Sequence, residues 1–293
     1  MPLVRARLLT SARRCRDPRE SPCYVVGVTR ARSIAAAQTI PIRGDVDANV
    51  EQHVRLVHAA AEEQAQVLVF PELSLTGYEL DLANELAFSE RDPRLAPLVE
   101  LASSYRMTLI VGAPVRIGSR LYLGAFIVSS DGAVDLYTKH HLGAFPSSAS
   151  PDGTVPAAEG TVFHPGNRNP LLRFGDNTAA VAVCADTSRP SHPKEAAERG
   201  ARTYLASTFI IPSDLEKETA SLRAYAVRHS MAVVLANYGG PSGGLASGGG
   251  SAIWSEKGEL LAQLERIGTG VAVAIERDAS WRAKTVMLGG LDH

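Results

Sequence analysis

Across residues 33–276, short continuously apolar runs alternate with longer stretches whose apolar positions recur every three or four residues. The runs at 33–38, 67–70, 108–115, 125–129, 133–137, 179–184, 203–207, 232–237, 251–255 and 271–276 predict β-strands. Several lack the polar alternation of a half-exposed sheet, which is the pattern of strands covered on both faces. Between them, Val46, Val50, Val54, Val57 and Ala61 form one stripe of a helix over 46–64. Leu95, Leu98, Leu101 and Ala102 repeat that pattern after Asp92-Pro93, where Asp92 is a natural N-cap. Two more helices are expected over 194–199 and 213–229. Strand–helix alternation of this kind predicts an α/β protein whose sheet is covered by helices. No linker interrupts residues 33–293 and no internal repeat is visible, so a single domain over 32–293 is expected. The glycine-rich stretch 239–250 falls between two strands and reads as a mobile loop.

Residues 1–31 differ from the rest. They carry seven arginines, with Pro18 and Pro22 interrupting any helix, and lack the apolar core of a secretory signal. A disordered extension is the expectation there, with an Arg-rich organelle transit peptide as the other reading. The composition elsewhere is ordinary for a globular chain, with 45% hydrophobic and 21% charged residues. A net charge of −1 and an aromatic content of 6% argue against a nucleic-acid partner. No apolar run reaches the roughly 20 residues needed to span a bilayer, so no membrane partner is expected. Three cysteines (Cys15, Cys23 and Cys184) are few enough to suggest a reduced, cytoplasmic protein. Cys15 and Cys23 could bridge within the extension, whereas Cys184 has no such partner in the folded body.

Three polar residues stand at the ends of apolar strands: Glu72 after 67–70, Lys139 after 133–137, and Cys184 after 179–183. In buried sheets, ligands and catalysis gather beyond the carboxyl ends of strands. A free thiol has a pKa near ~8.5 and needs a base or a cation to become an effective nucleophile. A carboxylate can take its proton and return it to a leaving amine. An ammonium can stabilise the thiolate and then a tetrahedral oxyanion, with backbone N–H groups from Ala185 onward as further donors. Singly, each residue has an ordinary explanation: an inert core thiol, a helix-capping glutamate, a solvated loop lysine.

Together they resemble a known family. Phe70-Pro71-Glu72-Leu73-Ser74-Leu75-Thr76-Gly77-Tyr78 is similar to the glutamate motif of the carbon–nitrogen hydrolase, or nitrilase, superfamily. Asp131-Gly132 leading to Tyr137-Thr138-Lys139-His140-His141-Leu142 resembles its lysine motif, and Val183-Cys184-Ala185-Asp186 its cysteine motif. The resemblance implies a four-layer α-β-β-α sandwich, a Glu72–Lys139–Cys184 site, no metal, no cofactor, and a homodimer or larger homo-oligomer. It also implies a second glutamate, for which Glu159 before Phe163-His164-Pro165-Gly166 has the matching position. Tyr78, Ala185 and Arg189 are the candidate substrate contacts, Arg189 as a grip for a substrate carboxylate. Cys-Ala-Asp is closer to the amidase-like branches than to Cys-Trp-Glu nitrilases, so a small amide is favoured over a nitrile or an N-carbamoyl amino compound. The Glu-Asn pair usual on the helix before the Asn237 strand is replaced by Arg228-His229, so local support there is expected to differ.

Rival chemistries lack residues. There is no His-Glu-x-x-His and no Cys-x-x-Cys for a metal, and no phosphate-loop lysine in 239–250. A Cys–His hydrolase with His141 as base would leave Glu72 and Lys139 unexplained. A catalytically lapsed binding or scaffold protein is the alternative from a different class, and the intact trio counts against it.

Overall fold

The computed structural model describes residues 32–289. The expectations for residues 1–31, Cys15 and Cys23 among them, lie outside the described residues. Strands β1 (Arg32–Gln38), β2 (Val67–Val69), β3 (Thr108–Ile117), β4 (Arg120–Val128) and β5 (Val134–Thr138) belong to one sheet. Strands β6 (Leu171–Phe174), β7 (Asn177–Val183), β8 (Thr203–Ser207), β9 (Ala232–Ala236), β10 (Ala252–Trp254) and β11 (Leu260–Gln263) form a second. The chain then returns to the first sheet with β12 (Thr269–Arg277) and β13 (Ser280–Leu288). Strand orders are β13-β12-β1-β2-β3-β4-β5 and β11-β10-β9-β8-β7-β6. The helices are α1 (Val46–Glu62), α2 (Ala83–Leu86), α3 (Ala96–Tyr105), α4 (Ser191–Glu198) and α5 (Leu215–His229).

The continuously apolar strands are explained by what covers them. In β1, Ile34 and Ala36 face the second sheet while Ala35 and Ala37 face helices. Val67 and Val69 of β2 likewise point inward and Leu68 outward. Val181 and Val183 of β7 meet them from the other sheet, with Ala180 and Ala182 turned toward α4 and α5. Three apolar layers therefore separate four layers of structure: α1 and α3, the seven-stranded sheet, the six-stranded sheet, then α4 and α5. This is the α-β-β-α sandwich. Among the described residues, no helix is long and apolar enough to cross a membrane.

Element ends follow local chemistry. The Asp45 side chain accepts the Ala48 N–H at 3.0 Å and starts α1. The helix stops at Glu62, two residues short of the expected end, where Gln64 turns to φ +59°. Asp92 caps a 3₁₀ turn, Pro93–Leu95, that leads directly into α3. The α4 helix begins at Ser191, three residues before the expected start, because Pro193 is tolerated in a first turn. Strands β6, β11 and β13 escape the hydrophobic pattern. β6 and β11 are short edge strands, and the edge strand β13 carries exposed Arg282 and Lys284, charges that guard an unpaired edge.

Residues 239–250 are a packed seam rather than the mobile loop expected. Gly239 N–H donates to Thr39 O, Gly248 N–H to Ile210 O, and Gly243 N–H to the Glu79 carboxylate. At Gly249, with φ +61°, a Cβ would lie 1.7 Å from Arg266 O. Gly112 of β3 makes a similar close approach to the Glu72 turn, where a Cβ would fall 2.3 Å from Leu73 N. Gly112→Ala is expected to destabilise the protein by about 1–3 kcal/mol, read as a drop of several degrees in thermal midpoint. An unchanged midpoint would contradict that packing.

Candidate active site

The turn after β2 carries Glu72 and is fastened from both sides. From the helical layer, His53 of α1 donates through Nδ1 to Asn49 O at 2.6 Å, so Nε2 accepts the Ser74 hydroxyl at 2.9 Å. Burial lowers the His53 pKa to about 4, which keeps this tautomer neutral. From the other sheet, Glu72 N–H donates to Thr208 O at 3.4 Å, and the Tyr238 hydroxyl donates to Glu72 O. Leu73 takes φ +52° to turn the chain, leaving the Glu72 side chain fully buried.

Lys139 follows β5 and is equally enclosed. Its N–H donates to Leu123 O at 2.9 Å and its carbonyl accepts Gly166 N–H at 2.8 Å. The ammonium donates to Glu72 Oε1 at 2.6 Å and to Glu159 Oε1 at 2.7 Å. Glu159 Oε1 also accepts the Tyr78 hydroxyl at 2.7 Å, and its Oε2 accepts Gly143 N–H at 2.7 Å. Glu159 thus has three donors, whereas Glu72 Oε2 has no partner at full hydrogen-bond geometry.

Cys184 emerges from β7 with φ +43°, a left-handed conformation that costs a non-glycine residue on the order of 1–3 kcal/mol. Its thiol reaches Phe209 O at 3.7 Å. A residue in a strained turn at a strand end presents its side chain into the space beyond the sheet. There, a cavity of about 150 Å³ is lined by Cys184, Ala185, Tyr78, Glu159, Phe145 and the loop 208–211, with Asp214 and Glu218 also on its wall.

The electrostatics follow from one ammonium facing two buried carboxylates. Burial raises the Glu72 carboxyl to about 7, with Lys139 drawing it down, Glu159 pushing it up and the nearby Cys184 thiol drawing it down. Burial alone would lower the pKa of Lys139, but Glu72, Cys184 and Glu159 outweigh it and hold the ammonium charged. Burial and Glu72 push the Cys184 thiol well above its usual range, against the pull of Lys139. The resting thiol is therefore protonated beside a carboxyl group able to exchange a proton near neutral pH. Such a set can pass a proton from sulfur to oxygen, and the ammonium keeps one N–H beyond those used by the two carboxylates.

The structure brings Glu72, Lys139, Cys184 and Glu159 together and sets Ala185 and Tyr78 in the cavity wall. Tyr78 spends its hydroxyl on Glu159, which makes it a support for that carboxylate as well as a wall. Arg189 is placed elsewhere: it is exposed and absent from the lining, because the turn after Cys184 carries it to the surface. His141 is also absent from the lining, and its Nδ1 lies 2.9 Å from Asp186 Oδ1. Arg228 and His229 occupy the last turn of α5, where the Arg228 cation suits the helix dipole, while burial and Arg228 lower the pKa of His229. Sequence reasoning missed Phe145, Thr208–Ile211, Asp214 and Glu218, which sit on loops and a helix start and carry no motif of their own.

Known proteins resemble this chain in sequence and in fold. A family model described as carbon–nitrogen hydrolase matches residues 33–282. A glutamine-dependent NAD(+) synthetase of Thermotoga maritima is 25% identical over 236 residues, 78% of this chain and 39% of that protein. A nitrilase of Pyrococcus abyssi is 25% identical over 248 residues, covering 82% of this chain and 88% of its own length. Among solved structures, a variant of the amidase from Nesterenkonia sp. AN1, bearing the Michael adduct of acrylamide at its active-site cysteine, superposes with a TM-score of 0.71. It is 26% identical, and the match covers 83% of this chain and 92% of that one. The chain spans about two fifths of the length of the synthetases it matches.

The raised Glu72 carboxyl sets a pH dependence. Below about pH 7 it is protonated and cannot accept the thiol proton; above, it can. Alkylation of Cys184 by iodoacetamide should therefore accelerate through about pH 7 in the native protein. Glu72→Gln should remove that rise, and a rise that persists in this variant would exclude Glu72 as its source.

Proposed function

The chain belongs to the carbon–nitrogen hydrolase family, and within it we propose hydrolysis of a small amide by Cys184, Glu72 and Lys139. The observation that carries this reading is the buried contact of Lys139 with Glu72 and Glu159, beside a thiol that opens into the cavity. In the proposed reaction Glu72 takes the proton from Cys184 as sulfur attacks the amide carbon. The C–S bond forms while the carbonyl π electrons move onto oxygen, where the remaining Lys139 N–H and the Ala185 backbone N–H stabilise them. Glu72 returns the proton to nitrogen, the C–N bond breaks, and ammonia or an amine leaves a thioester on Cys184. Water then attacks the thioester with Glu72 again as base, the C–S bond breaks, and the acid departs as the thiol is restored. Glu159 holds Lys139 in place throughout.

The cavity supports the amide over its rivals. A volume of about 150 Å³ suits a short acyl chain, and Ala185 leaves the space beside the thiol open. With Asp214 and Glu218 on the wall and Arg189 outside it, a substrate carrying its own carboxylate finds repulsion rather than a grip. The amidase adduct at cysteine supports the same direction, as a small amide beside a thiol in a similar fold.

Whole-protein mass spectrometry during turnover should show the substrate's acyl mass added at Cys184, and Cys184→Ala should abolish both the adduct and ammonia release. Lys139→Met should lower kcat by about 10²–10³, the usual effect of losing an oxyanion donor, and near-normal turnover would refute its role. In a panel of amides, carbamoyl compounds and nitriles, short neutral or amine-bearing amides should release ammonia fastest. A preference for carboxylate-bearing amides would overturn the reading of the acidic wall.

A further inference from the structure

Asp186 is fully buried two residues after Cys184, and the proposed reaction leaves it unused. Its Oδ1 accepts the His141 backbone N–H at 2.9 Å and lies 2.9 Å from His141 Nδ1. Its Oδ2 accepts the Tyr137 hydroxyl at 2.7 Å and the Val183 N–H at 3.3 Å. Val183 directly precedes Cys184, whereas Tyr137 and His141 bracket Lys139 at two residues on either side. One carboxylate therefore ties the thiol-bearing turn to the stretch of chain that carries the ammonium.

The hydrogen bonds behind it run in one direction. Tyr137 Oη lies 3.0 Å from His192 Nε2, and His192 Nδ1 lies 2.9 Å from Tyr204 Oη. Because Tyr137 gives its proton to Asp186, its oxygen must accept from His192 Nε2–H. His192 Nδ1 is then the acceptor for the Tyr204 hydroxyl. Burial lowers the pKa of His192, with Asp186 opposing and His140 and His141 assisting, which agrees with this neutral tautomer. His140 stacks on Tyr137 with ring centroids 5.2 Å apart. Every donor in the series thus points toward Asp186, an arrangement that needs a carboxylate at its end. An asparagine there must present its NH₂ either to Val183 N–H or to His141 N–H, so one donor always meets another.

We propose that Asp186 is a positioning residue for the reaction: it sets the Lys139 ammonium relative to Glu72 and Cys184 by fastening the Lys139 segment to the Cys184 turn. The inference rests on the Glu72–Lys139–Cys184 reading above. If Asp186 sets this geometry, weakening it loosens Lys139 from Glu72. The groups around Glu72 are Lys139, Glu159, Cys184, Tyr78 and Tyr238, and among them Lys139 is the cation that draws its pKa down. Loosening Lys139 must therefore move the Glu72 titration to higher pH.

The test is the pH profile of iodoacetamide alkylation at Cys184, together with kcat and KM for a turned-over amide. Asp186→Asn should shift the acid limb upward by at least half a pH unit and lower kcat about tenfold or more, with KM changed less than threefold. A role confined to folding would lower the melting temperature while leaving the limb and the kcat per folded molecule in place, and that result overturns the proposal. Should Asp186→Asn fail to fold, Tyr137→Phe and His141→Ala each remove part of the Asp186 contacts. Both should move the limb the same way by a smaller amount, and two unmoved limbs overturn the proposal. A native thiol with no limb near pH 7 sinks the hydrolase reading and this inference with it; a native limb that no variant moves sinks this inference alone.

Discussion

Two carboxylates and one ammonium, all buried, leave the centre of this protein one negative charge in excess, and the surrounding structure answers that imbalance. A single lysine cannot neutralise both glutamates, so one of them must hold its proton more tightly than a solvated acid would. Burial raises Glu72, and the donors are shared unevenly between the two. Glu159 accepts Lys139, the Tyr78 hydroxyl and the Gly143 amide, while Glu72 accepts Lys139 and keeps Oε2 unpaired. Glu72 is therefore the carboxyl group that titrates near neutrality, and it is also the one beside the thiol. Its proton affinity is raised first by burial and then by Glu159, with Lys139 opposing both.

Holding one ammonium within 3 Å of two carboxylates and away from water demands rigid walls. The sandwich supplies them by ending β2, β5 and β7 at one place between two sheets. The Glu72 end is gripped from two layers and the Lys139 end by a loop. His53 of α1 holds the Glu72 turn through Ser74, Tyr238 reaches it from the opposite sheet, and Gly166 binds the Lys139 carbonyl. The glycines follow from the same need, since Gly112 and Gly249 allow backbone approaches that any side chain would block. What reads in the sequence as a glycine-rich loop is the joint between layers.

This explains how far the sequence alone could be read. The buried strands and the stripes of α1 and α3 were legible because burial on a known face imposes a period on side chains. Glu72, Lys139 and Cys184 were legible because each closes an apolar run, and Glu159 because its place before Phe163-His164-Pro165-Gly166 matches the second glutamate that the family resemblance implies. Edge strands β6, β11 and β13 were not, since a strand paired on one side tolerates polar residues. The cavity wall was illegible for a different reason: Phe145, Thr208–Ile211 and Glu218 come from separate segments whose convergence is a tertiary fact. Arg189 shows the opposite error. Its place close to where carboxylate-gripping relatives carry an arginine suggested a substrate contact, but one turn of chain is enough to carry the side chain out to the surface.

Cys184 concentrates two unfavourable features in one residue: a left-handed backbone and a thiol whose ionisation burial opposes. The left-handed backbone does not help the protein fold, and a glycine there would relieve it. Their persistence makes sense together. The left-handed turn is what lets the chain leave β7, aim sulfur into the cavity and still bring Asp186 back beneath Val183. Burial keeps the proton on sulfur until Glu72 accepts it, so in the proposed reaction attack is coupled to proton transfer rather than to a standing thiolate. The stability lost at this turn is offset by the apolar layers on either side, where strands and helices bury their side chains without strain. Chemistry and stability are thereby divided along the same strand: Ala180 to Val183 pack the sandwich, and Cys184, half-buried against its edge, opens into the cavity.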